Sequence, residues 1–216
     1  MKMTKMIFVR HGQSEANLAR VFAGQTDTVL TDLGKLQAER TAQFLRDYPI
    51  DVIYASDLTR AMQTAVPTAK AHGIGIIPNE QLREIDAGDW ENVSYDELMK
   101  RFSESYGVWR NDCGRAHPEN GESVAALSAR ILREVERLAA LHRGQCVAIF
   151  SHATPLRALC AYWEGLSSDG ISAVTFCPNA SVSVVDYFED GSVQVHLRGF
   201  DGHQGDLSTS LAKGIV

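Results

Sequence analysis

Compact apolar runs alternate along this chain with stretches whose apolar residues recur at helical spacing, and that alternation limits the fold more than any other feature. Met6-Ile7-Phe8-Val9 reads as a buried strand. Thr31 to Asp47 follows as a helix, with Thr31 placed to cap it and Leu33, Leu36, Phe44, Leu45 and Tyr48 on or near one face. Val52-Ile53-Tyr54-Ala55 is a second strand, running into Ser56-Asp57 as the cap of a helix that turns Ala61, Met62, Ala65, Val66 and Ala69 inward. Ile74 to Ile77 is a short third strand stopped by Pro78, and Ser94-Tyr95-Asp96-Glu97 fits a capping box. The longest helix spans Ser123 to His142, with Gly144 just past its end. Cys146 to Phe150 is a fourth strand, and Thr154-Pro155 then opens a helix that reaches about Trp163. Ser181 to Phe188 and Ser192 to Leu197 flank Asp190-Gly191, a hairpin signal.

This order predicts an α/β fold, a three-layer α/β/α sandwich with a mostly parallel central sheet and one antiparallel edge strand supplied by the hairpin. At 216 residues, against roughly 150 for a typical domain, residues 1–216 are expected to form a single domain. The least regular stretch, about 83–122, is expected to be an excursion from its core. The polar, glycine-rich tail from Gly199 onward is expected to be partly mobile.

Hydrophobic residues make up 44% and charged residues 22%, which excludes a disordered chain. Lys and Arg total 21 against 27 Asp and Glu, a formal charge of −6. That balance argues against nucleic acid and anionic membrane as partners, because both need a basic footprint. It does not exclude a small anion, since a pocket depends on a few convergent groups. Cys113, Cys146, Cys160 and Cys177 contain no C-x-x-C pair, so neither a disulfide framework nor a zinc site is expected. The apolar stretch behind Lys2 and Lys5 is too short for a signal peptide, and a cytoplasmic location is the expectation.

Ligands of open parallel sheets bind beyond the carboxyl ends of the strands. Three strands here end in residues suited to an anion. The first ends Val9-Arg10-His11-Gly12 and the fourth Phe150-Ser151-His152-Ala153, while Arg60 lies one helical turn past the second. Gly12 and Ala153 are small enough to let a ligand approach the backbone. A single His at a strand end is usually structural, and a single Arg on a first helical turn is usually solvated. Their joint placement at one sheet edge outweighs those readings and points to an anion site.

Arg10-His11-Gly12, with Asn17, Gly24, Asp27, Leu30-Thr31 and Gly34, resembles the N-terminal signature of the histidine phosphatase superfamily, in its phosphoglycerate-mutase-like branch. The resemblance continues in Ser56-Asp57-Leu58-Thr59-Arg60, in Leu82-Arg83-Glu84-Ile85-Asp86-Ala87-Gly88-Asp89-Trp90-Glu91, in Gly121-Glu122-Ser123, in Ser151-His152 and in Asn179-Ala180-Ser181. The blocks keep the family's order from about residue 6 to 188. The resemblance implies that His11 is a nucleophile that becomes phosphorylated, that Arg10, Arg60 and His152 bind phosphoryl oxygens, and that Glu84 is the proton donor. It implies that Asn17 and Gln25 line the phosphate pocket, and that no metal or organic cofactor takes part.

The chemistry suits those roles. Phosphoryl transfer needs positioning and charge stabilisation, and guanidiniums present planar donor forks that match phosphate. Cations at Arg10 and Arg60 disfavour protonated imidazole and keep His11 nucleophilic. A phosphate dianion beside Glu84 favours the protonated acid that a leaving alkoxide requires. Asp86 and Asp89 are neighbouring acids that could take the same role. Gly121-Glu122-Ser123 has two readings: backbone N–H groups facing the anion, or Glu122 complementing the helix dipole. Phe22, Trp90, Tyr95, Phe102, Tyr106 and Trp109 fit a satellite core more readily than a lid. The remaining histidines, His117, His142, His196 and His203, read as structural.

His152 follows Glu84 by only 68 positions, and the interval lacks the basic pattern with which sugar-acid mutases hold a substrate carboxylate. The expectation is therefore a phosphatase of a small phosphate ester. A phosphoglycerate-type mutase and a non-catalytic phosphometabolite-binding domain are the alternatives. Ala16 and Asn92 depart from the family's usual Trp and Gly, which bears on substrate choice.

Overall fold

Successive residues of the first strand face opposite ways, and both faces are covered. In the computed structural model, which describes residues 2–209, Met6 and Phe8 join one apolar cluster and Ile7 and Val9 another. The strands are β1 (Thr4–Arg10), β2 (Val52–Ala55), β3 (Ile76–Pro78), β4 (Cys146–Ser151), β5 (Val182–Tyr187) and β6 (Val193–Phe200). The helices are α1 (Glu15–Ala19), α2 (Asp32–Leu45), α3 (Thr59–His72), α4 (Tyr95–Arg101), α5 (Ser103–Asn111), α6 (Val124–Leu141) and α7 (Ala153–Trp163). One six-stranded sheet runs β3-β2-β4-β1-β5-β6. Residues of α2 and α3 cover one face, and α6 and α7 cover the other. This is the expected α/β/α sandwich.

β1 to β4 are mutually parallel, and β5 is antiparallel to both β1 and β6. The one strand that opposes the rest therefore lies one position in from the edge, where β6 covers it. Asp190-Gly191 does form the hairpin turn, with Gly191 at φ 83°.

Two helix starts differ from expectation for the same reason. α3 begins at Thr59, and neither Ser56 nor Asp57 caps it as expected. Asp57 is taken by an ion pair with Arg83, and Ser56 Oγ lies 2.8 Å from His152 Nε2. The cap comes instead from Asp27, whose carboxylate accepts from the Thr59 amide at 2.7 Å and from its hydroxyl at 2.6 Å. α7 starts at Ala153 rather than at Thr154-Pro155, and the Thr154 amide donates to Glu84 Oε2 at 3.2 Å. Carboxylates from distant loops thus cap both helices, which local sequence does not reveal.

β3 begins at Ile76, two residues later than expected. The left-handed Gly73 cap and the Ile74 amide bonded to Ala69 O still belong to the end of α3. The chain from Gly199 is not loose up to Thr209. Gln204 is fully buried and donates to Gln37 O, Thr41 Oγ1 and Ala180 O. Residues 210–216 of that tail lie outside the described residues. The aromatics of the 83–122 stretch form no satellite core either: Trp90, Tyr106 and Trp109 belong to the larger cluster together with Phe22. Their rings meet edge to face, with Phe22 and Trp109 centroids 5.1 Å apart. All four cysteines are buried and free. No helix among the described residues is long and apolar enough to cross a membrane.

Candidate active site

A cavity of about 170 Å³ opens at the carboxyl ends of the strands. Six of the predicted site residues line it: Arg10, His11, Asn17, Arg60, Glu84 and Ala153. Each is held by its own backbone context.

Arg10 and His11 follow directly from β1. Arg10 Nη1 donates to Cys177 O at 2.7 Å, and its Nε is buried with no partner among the described residues. The Nδ1 of His11 lies 2.7 Å from Gly12 O. A carbonyl can only accept, so the proton sits on Nδ1 and Nε2 carries the free lone pair. Burial first, then the Arg60 and Arg10 charges, hold the His11 imidazole well below its ordinary pKa. Gly12 does not line the cavity. It backs onto Gly34, where an added Cβ would come within 2.6 Å of the Gly34 carbonyl oxygen. Its use is close packing of the loop, not access for ligand.

Arg60, on the first turn of α3, donates to Thr26 O at 2.9 Å and Gly24 O at 2.7 Å. Those carbonyls are themselves fixed by Glu91, which accepts from the Gln25 and Thr26 amides at 2.7 and 3.0 Å. Gln25 is not in the wall: its side chain turns away to donate to Glu84 O at 3.3 Å. Asn17 and Ser14 cap α1 reciprocally, and Asn179 Nδ2 bridges Asn17 Oδ1 at 3.2 Å and His11 O at 3.1 Å.

His152, at the end of β4, is fully buried and outside the cavity wall, with its ring centroid 5.1 Å from that of His11. With Nε2 on Ser56, its Nδ1 has no partner among the described residues. Burial, then Arg60, His11 and Arg10, push its pKa well down.

Glu84 is the acid that reaches the cavity. Its Oε1 accepts from the Ile85 amide at 2.9 Å, and its Oε2 caps α7. Asp86 bonds the Gly88 amide and Asp89 meets Asn120, so neither alternative acid faces the site. Glu122 is absent from the wall as well. It pairs with Arg130 at 2.7 Å, while Arg130 donates to the carbonyls of Gln81, Arg83 and Glu84. The Gly121 and Glu122 amides are spent on Pro118 O and Asp86 O, so no anion meets them. Glu122 is a buttress of the Glu84 loop.

The sequence reading left out Gln13, Ser14, Arg20, Phe176, Asn179 and Thr209, which also line the cavity. Asn179 opens one of the motif blocks, and Ser14 stands three residues before Asn17 in a capping pattern. Phe176 and Thr209 carry no local signal, because tertiary packing alone brings them there.

A sequence profile of the histidine phosphatase superfamily (branch 1) matches residues 6–198. Phosphoserine phosphatase 1 of Hydrogenobacter thermophilus is 33% identical over 214 residues, which is 99% of this chain and 100% of that protein. The 2,3-bisphosphoglycerate-dependent phosphoglycerate mutase of Azorhizobium caulinodans is 36% identical, covering 77% of this chain and 84% of its own. The solved mycobacterial glucosyl-3-phosphoglycerate phosphatase superposes with a TM-score of 0.83 at 26% identity, over 93% of this chain and 100% of that one. The chain belongs to the histidine phosphatase superfamily.

Proposed function

We propose that the protein is a phosphomonoesterase that hydrolyses a small phosphorylated metabolite through a phosphohistidine on His11. The observation that carries this reading is the 2.7 Å contact of His11 Nδ1 with Gly12 O, which reserves Nε2 for attack beside two guanidiniums. In the first step the Nε2–P bond forms and the ester P–O bond breaks, and the Glu84 carboxyl gives its proton to the leaving alkoxide. In the second, water attacks phosphorus, the N–P bond breaks, and the Glu84 carboxylate takes the water's proton. The free donor edge of Arg10, the Arg60 fork and His152 stabilise the equatorial oxygens. Asn17 completes the phosphate pocket. In the same reading the chain is one domain, and the stretch 83–122 is its cap, since Tyr95 and Trp109 from that stretch line the cavity.

Trapping tests the mechanism. Brief incubation with a 32P-labelled phosphate ester and alkaline quenching should leave an acid-labile label on wild type and none on His11→Asn. Steady turnover with no labelled histidine would overturn the covalent route. Full-length coverage by a phosphatase favours hydrolysis over the mutase. Stoichiometric phosphate release, unaffected by a sugar-acid bisphosphate, is the expected discriminating result.

A further inference from the structure

Arg20 lines the same cavity, and its guanidinium has no hydrogen bond or ion pair among the described residues. Its backbone is not free. Arg20 ends α1 in the left-handed conformation, φ 57° and ψ 41°, with its amide on Ala16 O and Asn17 O. Its carbonyl accepts from the Tyr95 amide at 3.2 Å. Glycine is the usual residue at such a position, because an L side chain there is strained. Here the position carries a long, exposed cation that lines the same cavity as Asn17, Phe22, Tyr95 and Trp109.

The charges give this placement a meaning. Three guanidiniums, Arg10, Arg20 and Arg60, line the cavity against one carboxyl, Glu84. A phosphate dianion beside Arg10 and Arg60 satisfies both, and Glu84 is held by the Ile85 and Thr154 amides rather than by Arg20. Arg20 remains, next to Tyr95 in the cavity wall and without a partner of its own among the described residues. Its field reaches the wall there: burial raises the Tyr95 phenol, and the Arg10 and Arg20 charges work against that rise.

We propose that Arg20 is a specificity-determining residue that pairs with a carboxylate on the alcohol portion, so that the substrates are phosphate esters of hydroxy acids. The proposal rests on the phosphate-binding reading above and narrows its substrate class. An Arg–carboxylate pair is charge-assisted and favours bidentate geometry, which suits selection among esters sharing one phosphate.

The test separates binding from turnover. Non-hydrolysable ω-carboxyalkylphosphonates of increasing length are titrated calorimetrically against alkylphosphonates of matched length, with wild type and Arg20→Met. The expected result is at least a ~10-fold preference of wild type for one carboxylated member, falling to about 1 in Arg20→Met. An equal preference in both proteins, or none in wild type, overturns the proposal. Arg20→Lys serves as a folding-neutral control and should retain part of the preference. In parallel, wild type is assayed with phenyl phosphate and 4-carboxyphenyl phosphate. Hydrolysis of neither ester defeats the phosphatase reading, while the phosphonate ratio still decides the role of Arg20.

Discussion

Glu84 Oε2 accepts a hydrogen bond from the Thr154 backbone amide at 3.2 Å, so the side chain assigned to proton transfer is also the N-terminal cap of α7. The two duties are separable by substitution. Glu84→Gln keeps an oxygen for the Thr154 amide but cannot cycle a proton, and its NH2 group then faces the Ile85 amide. It should lose about 10²- to 10⁴-fold in kcat on alkyl phosphates and about 1–3 kcal/mol of stability for the amide left unpaired. Glu84→Ala should lose the cap as well, by a further ~1 kcal/mol in urea denaturation. Wild-type turnover by Glu84→Gln would remove Glu84 from the mechanism.

Two buried histidines make stability depend on pH. His11 and His152 both have folded-state pKa values well below the ordinary one. In the unfolded chain they bind protons as pH falls below about 6.5, while in the folded protein they do not. The unfolded state then holds more protons, so stability falls as pH drops from 6.5 toward the folded values. Each histidine contributes a slope of up to ~1.4 kcal/mol per pH unit. Urea denaturation of wild type and His11→Asn/His152→Asn at pH 7 and pH 5.5 checks this, and the double variant should show the flatter dependence.

Arg130 is predicted to act on the reaction without touching substrate. It ties Glu122 to the carbonyls of Gln81, Arg83 and Glu84. Arg130→Met leaves a half-buried Glu122 unpaired and three carbonyls short of a donor, costing roughly 2–4 kcal/mol. With the loop loosened, kcat should fall more than KM rises. Arg130→Lys should recover part of the stability. A variant as stable and as active as wild type would show that the loop holds itself.

Gly12→Ala should be among the most damaging of the small substitutions. The added methyl meets the Gly34 carbonyl at 2.6 Å, and that contact is backbone, which cannot swing aside. Overpacking of this kind costs about 1–3 kcal/mol, or roughly 2–12 °C in Tm for a chain of this length. Thermal unfolding with and without vanadate would show whether the pocket is lost along with stability.

The parts legible in the sequence were those whose signal is local. β1, β2 and β4 are continuous apolar runs because helices cover both faces, and α2 and α6 announce themselves by their Thr31 and Ser123 caps. α1, only five residues long, has no periodicity to read. The starts of α3 and α7 were misplaced because Asp27 and Glu84 cap them from elsewhere in the chain. In the site, Arg10, His11, Arg60 and Glu84 were legible because they follow strand ends or sit in motif blocks. Glu122 was misjudged because its partner, Arg130, lies two helical turns away. Arg20 was invisible because an arginine after a short helix looks like any solvated surface residue until the fold turns it toward the cavity.

The position of β1 has a kinetic consequence. It lies between β4 and β5, with Lys5 paired to Cys146 on one side and Asp186 on the other. β1 must therefore wait for β4 (Cys146–Ser151) before its first neighbour exists and for β5 (Val182–Tyr187) before its second. Such long-range pairing makes folding slow and leaves an apolar strand open to wrong partners in the interval. It also means that Arg10 and His152 come together only when the central register closes. Phosphate can then bind only the completed sheet, and a bound anion would act as a thermodynamic lock on the last step of folding.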